Sequence, residues 1–158
     1  MAQVRQQIKA TYPLPVYNYR VHIDDLTVGF SEVSGLHVEY EPVTYKHGLS
    51  FALGVKLIPG MAQPIKVSMK RGLTRAANGK FLLNWFQASY ANPYQSPKKD
   101  IFVDLCDETG LATVRWAVRM ALPTKYEAPT FDANSNEVAI ETLEVIAHEL
   151  QVDFNPSA

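Results

Sequence analysis

Glu141, Glu144 and His148 are the residues of this 158-residue chain whose types and spacing could do chemistry. Positions three and four apart share a helical face, so on a helix two carboxylates and an imidazole would converge and offer hard and borderline ligands to a metal ion. That set would serve a metal-dependent hydrolase. The surrounding residues permit the helix: Ala139, Ile140, Leu143, Ile146, Ala147 and Leu150 make an apolar stripe, with Glu137, Glu141, Glu144 and His148 on the other side. They also permit a strand, in which Val138, Ile140, Ile146, Leu150, Val152 and Phe154 point one way and Ala139, Leu143, Val145 and Ala147 the other. A strand would turn Glu141 away from Glu144 and His148 and dissolve the ligand set. The zinc-protease motif fails in either case, because Val152 stands where its second histidine would be needed. Solvated carboxylates and a histidine in a polar contact are the plainer reading.

The rest of the chain offers no stronger apparatus. His22, His37 and His47 are scattered, and Ser31 and Ser34 lack a Gly-x-Ser-x-Gly frame. Gly54 to Gly60 lack the Gly-Lys-Ser/Thr of a phosphate loop, so their glycines read as turn residues. Lys70-Arg71-Gly72 reads as a solvated face or an ion-pair edge, and Cys106 as a small strand residue beside a hairpin. No catalytic residue, metal or cofactor is indicated.

The elements that must position these side chains are mostly strands. Tyr17, Tyr19, Val21 and Ile23 alternate with polar residues, as do Leu36, Val38 and Tyr40, and Ile65, Val67 and Met69. Ile101, Val103 and Leu105 run into Asp107-Glu108-Thr109-Gly110, a turn sequence, and Val114, Trp116, Val118 and Met120 return, which predicts a β-hairpin. One helix is predicted over 78–90, where Phe81, Leu82, Trp85, Phe86 and Tyr90 share a face and Asn78 stands as N-cap. Pro93 and Pro97 then make a loop. A long connection, 47–64, carries an apolar excursion at Phe51, Leu53, Val55 and Leu57 that is costly to leave exposed and reads as a surface awaiting a neighbour. These elements predict a mainly β fold, an antiparallel sandwich or barrel with one flanking α-helix.

With 47% hydrophobic residues and this length, one domain covering 1–158 is expected, with 1–11 and 151–158 as flexible or contact-forming ends. Fifteen basic against 16 acidic residues, a net charge of -1, exclude a general polyanion-binding surface. A single cysteine excludes an internal disulfide and points to synthesis in a reducing compartment. Neither a secretory leader nor an apolar run long enough to span a membrane is legible, so no stable membrane insertion is expected.

The order of segments is more telling. Tyr12-Pro13-Leu14-Pro15-Val16-Tyr17, Gly29 to Leu36, Leu57-Ile58-Pro59-Gly60, Val67 to Thr74, Trp116 to Pro123 and Asn136 to Glu144 together resemble the tail tube proteins of contractile phages and of phage-like injection particles. The resemblance implies an inner tube subunit that forms stacked hexameric rings around a lumen for DNA or effector proteins, with sheath and baseplate proteins as partners. It implies cytoplasmic assembly followed by residence in a virion or injection particle. It further implies that Ser50 to Gly60 contacts neighbouring subunits, with Phe51, Leu53, Val55, Leu57, Pro59 and Gly60 as the assembly residues, and that Asn136 to Leu150 is a strand. Leu150-Gln151, where the family usually has a glycine after its terminal His-Glu, and the enlarged loop at Pro93 to Lys99 are departures that leave a specialised ring at the tube's base or tip open. The competing classes are the hydrolase using Glu141, Glu144 and His148 and a monomeric barrel that binds a small apolar ligand.

Overall fold

The computed structural model describes residues 1–95 and 97–156; Ser96, Ser157, Ala158 and the side chains of Ala77 and Asn78 lie outside the described residues. In chain order the elements are α1 (Ala2–Thr11), β1 (Tyr19–Ile23), β2 (Leu26–Val28), β3 (Glu32–Ser34), β4 (Val43–Tyr45), α2 (Ser50–Leu53), β5 (Lys56–Ile58), β6 (Ile65–Gly72), α3 (Phe81–Ala91), β7 (Lys99–Cys106), β8 (Ala112–Glu127), β9 (Ile140–Ala147) and β10 (Glu149–Phe154). All pairings are antiparallel.

β8 organises the fold because it belongs to two sheets. Its first half lies between β7 and β10, in a sheet that continues through β1 to β2, and its second half pairs with β9, which leads to β6 and β3. Between these halves Arg119 and Met120 together oppose the single residue Asp100 of β7, a β-bulge in which Met120 takes a positive φ of 53°. Asp100 holds the bulge: its carboxylate accepts the Met120 backbone N–H at 2.9 Å and the Arg119 guanidinium at 3.1 Å. β9 and β10 follow β8 around the same corner. Ile146 pairs with Leu122 and Glu149 with Arg119, so two residues intervene on each strand and the register continues unbroken.

Alternation then builds one core between the two sheets. Val21, Ile23, Ile101, Val103 and Val118 from the first meet Ile65, Val67, Met69, Leu143, Val145 and Ala147 from the second. α3 closes the cluster with Leu82 and Trp85; Trp85 donates its indole N–H to the Pro97 carbonyl at 2.8 Å, and Tyr90 its hydroxyl to that of Pro123 at 2.7 Å. The mainly β architecture with a flanking helix is as the sequence predicts, in the open two-sheet form.

Two local expectations change, one at Leu36 to Tyr40 and one at Asn78. Leu36 to Tyr40 is not a strand: only an isolated bridge joins Tyr40 to Ala62. Gly35 explains why, since at φ 91° it turns the chain away from β6, and a Cβ there would stand 2.0 Å from the Lys66 carbonyl oxygen. The apolar alternation persists without a ladder to sit in. At the two ends, Ala2–Thr11 forms a helix, α1, that buries none of its side chains, and Gln151 to Phe154 belong to β10. α3 begins at Phe81 after a 3₁₀ turn, Ala77–Lys80, so the expected cap at Asn78 lies within that turn and its side chain outside the described residues.

Met120 is exposed, so its substitution tests the corner with little loss of packing. In urea unfolding of the monomer, Met120→Val should cost about 1–2 kcal/mol, because a β-branched residue tolerates positive φ poorly, while Met120→Gly should stay within about 1 kcal/mol of the parent.

Candidate assembly site

Glu141 is the one member of the chemistry-bearing trio that is buried, and its partners are not the residues three and seven positions on. On β9 the buried residues are Glu141, Leu143, Val145 and Ala147, which puts Glu144 and the exposed His148 on the outward side. Glu141 is 1% exposed and pairs in register with Arg71 of β6, itself 5% exposed. Arg71 donates through Nε to Glu141 Oε1 at 2.6 Å and through Nη2 to the Gly79 carbonyl at 2.7 Å. Tyr126 of β8 donates its hydroxyl to Glu141 Oε2 at 2.6 Å. The Glu141 carboxylate thereby joins three strands, and the Arg71 guanidinium ties them to the turn before α3.

Burial, the hydrogen bond to Glu141 and that residue's negative charge push the Tyr126 hydroxyl up to about 12, with Arg71 opposing them. Among the described residues no group of three or more His, Cys, Asp or Glu side chains is placed to hold a metal ion. The carboxylate read as a ligand is the anion of an ion pair.

A second buried carboxylate, Asp104 of β7, lies on the other sheet. Arg115 of β8 grips it with Nε at 2.6 Å and Nη2 at 2.8 Å, and His22 Nε2 lies 3.5 Å away. Arg115 and Arg119 also stand over the Phe102 ring, at 5.3 and 5.1 Å from its centroid. Sequence reading missed this cluster. Its signal was the cross-strand placement of Asp104 opposite Arg115 in a predicted hairpin, which register alone reveals.

The predicted assembly residues fall on one feature. β4 and β5 pair only with each other, Val43 with Ile58 and Tyr45 with Lys56, and α2 sits at the tip of this arm. Ser50 caps the tip by accepting the His47 N–H at 2.7 Å on its hydroxyl and the Gly54 N–H at 2.8 Å on its carbonyl. Gln63 N–H to Glu39 carbonyl, at 2.7 Å, closes the base. No residue of the arm is buried: Phe51 is 90% and Leu53 72% exposed, with Val55, Leu57 and Pro59 also in solvent. Gly60 differs, since a Cβ there would stand 1.7 Å from the Glu41 carbonyl oxygen and its smallness is required within the arm itself. A two-stranded ribbon with an apolar tip gains little by itself, which sets it apart from the packed body.

Two outcomes test the buried cluster. Glu141→Ala should destabilise the chain by about 3–5 kcal/mol in denaturant unfolding, the usual cost of breaking a buried pair. The raised Tyr126 value means that the folded state holds its proton more tightly than the unfolded state, so this contribution is whole below pH 10.0 and lost as pH rises towards about 12. Tyr126→Phe should remove that alkaline loss, seen as a flatter dependence of melting temperature on pH across the same window.

The matches to known proteins extend over both the body and the arm. The family model described as T4-like virus tail tube protein gp19 matches residues 15–151. The chain is similar to one in the PVC sheath-tube complex of an extracellular contractile injection system in its extended state, at 29% identity and TM-score 0.84 over 94% of this chain and 97% of that one. It is similar to one in the tube-terminating cap of the anti-feeding prophage, at 30% identity and TM-score 0.82 over 91% and 93%. A third similarity is to the PVC sheath/tube terminator in its extended state, at 29% identity and TM-score 0.81 over 90% and 97%. No curated protein matches the chain. A model spanning the two sheets, the helix and the arm leaves no other assignment: this chain belongs to the T4-like tail tube protein family.

Proposed function

We propose that the protein is a non-enzymatic inner tube subunit of a phage-like contractile injection particle, which forms hexameric rings that stack into a hollow tube and bind sheath and baseplate proteins. The observation that carries this reading is the exposed arm in a chain that matches the tail tube family over residues 15–151. A ring needs two different, complementary surfaces on each subunit, and stacked rings need further contacts along the axis. Phe51, Leu53, Val55, Leu57, Pro59 and Gly60 supply an apolar surface for such contacts, and Gly60 also fixes the arm's shape. The similarity to chains of the PVC and anti-feeding prophage particles supports the injection-particle form, with effector proteins in the lumen and DNA as the phage counterpart. The same likeness supports residence in an extracellular particle, and assembly in the cytoplasm beforehand is part of this reading. Among the described residues no helix is long and apolar enough to cross a membrane. The whole chain acts as one tail-tube domain in this reading.

A second reading is a specialised ring at the end of the tube. Near-equal similarity to a tube-terminating cap and to a sheath/tube terminator favours it.

Electron microscopy of the purified protein, alone at high concentration and with sheath or baseplate partners, should show rings or tubes; monomers under both conditions overturn the proposal. Phe51→Asp with Leu53→Asp should abolish stacking and leave monomer stability within about 0.5 kcal/mol, as expected for exposed positions. Excess chelator should leave the melting temperature unchanged, whereas a metal-dependent hydrolase would lose stability with its ion.

A further inference from the structure

The inner face of the first sheet extends beyond the core. Its rows run Ile23, Ile101, Val118 and Leu150, then Val21, Val103, Trp116 and Val152, then Tyr19, Leu105, Val114 and Phe154, as the register of the four strands dictates. Burial fades along these rows. The first is almost wholly covered, whereas in the last Val114 is buried, Tyr19 and Leu105 are half-buried and Phe154 is exposed. Here the second sheet supplies only its short edge strand, β3, which with Leu36 just beyond it forms one wall. The result is a groove of about 450 Å³ lined by Val16, Tyr19, Val33, Leu36, Leu105 and Trp116. Its one charged lining residue among those described is Glu32, which is exposed and paired with Lys70 at 3.3 Å.

We propose that this groove receives the arm tip of a second copy of the chain, with Phe51 as the inserted side chain. This rests on the tube-subunit reading and gives the arm a specific receptor. The arm tip and the groove match in character: between Lys46 and Lys56 the tip carries no acidic or basic residue other than His47, and the groove is apolar. Both are open within one molecule, so each is left unfilled by its own chain. Their pairing is heterologous, knob to groove, which propagates from copy to copy and so builds rings or stacks instead of a closed two-fold pair. An exposed aromatic seated in a preformed pocket is the usual form of a binding anchor. α1 of a neighbour is a poorer occupant, because Arg5, Lys9 and three glutamines would have to be desolvated. A groove of this size also suits a small apolar ligand, but its lining residues Val16 and Glu32 are exposed, where ligand sites enclose most of their guest.

Val16 lines the groove and is exposed, so it can be changed without touching the core. Full-length Val16→Cys and Phe51→Cys proteins are mixed under assembly conditions and treated with a short bismaleimide, with each variant alone and an Ile8→Cys partner as controls. A cross-link joining positions 16 and 51 of different chains is expected only in the mixture. Val16→Asp and Phe51→Ala should each weaken assembly roughly tenfold or more while the monomer's melting temperature is kept. Rings or tubes that form without the 16–51 link overturn the inference and leave the tube reading intact. A link to position 8 instead, or a small apolar probe that stays in the groove after assembly, also overturns it. Failure to assemble under any condition removes the tube reading and this inference together.

Discussion

The burial of Glu141 opposite Arg71 is the constraint on which the rest of the fold turns. A carboxylate and a guanidinium taken out of water are tolerated only when each meets the other with good geometry, and a slip of one residue between β6 and β9 would put the two on opposite faces. The pair therefore fixes register where apolar alternation alone would allow competing pairings. The same register puts Met69 beside Leu143 and Val67 beside Val145, so the charged contact and the apolar core specify one arrangement. Tyr126 extends the constraint to β8, and the Gly79 carbonyl extends it to the turn that launches α3.

From that fixed centre, β8 distributes the structure. One strand of 16 residues serves both sheets because the bulge at Arg119 and Met120 bends it, and Asp100 satisfies the backbone N–H that the bulge exposes. The corner has a consequence for the surface. Turning the second half away leaves the far rows of the first sheet faced by little more than β3 and Leu36, and half-buried apolar side chains remain there. The arm shows the converse case, apolar residues projected on a ribbon with nothing beneath them. A monomer carrying both features has more apolar surface than its own fold can cover, which is the physical basis for reading it as one copy among many.

How much of this was legible depends on whether the signal is local. The β7–β8 hairpin was readable because alternation on both sides of Asp107-Glu108-Thr109-Gly110 needs only nearby residues, and that turn does form around the Asp107 carboxylate, which accepts the Thr109 and Leu111 N–H groups. α3 was readable from its apolar face. The arm was visible as an excess of exposed-cost residues, although its short helix and paired strands were not. Leu36 to Tyr40 carried the same alternation as true strands and failed, because a strand also requires a free neighbouring edge. Glu141 was noticed for its chemistry and given the wrong partners, since Arg71 lies 70 residues away and no local pattern links them.

The sequence by itself therefore determined the class of fold, the chain's near-neutral charge and the family, because these follow from alternation, composition and an ordered series of segments. Local periodicity left Asn136 to Leu150 undecided between helix and strand. Tertiary structure decided it: β6 and β8 offer β9 two edges, and a helix there would give up those ladders along with the Arg71 and Tyr126 contacts to Glu141. Which carboxylates are buried, where β8 bends and which apolar residues are left uncovered were likewise settled only by the fold, since each depends on residues brought together across the chain.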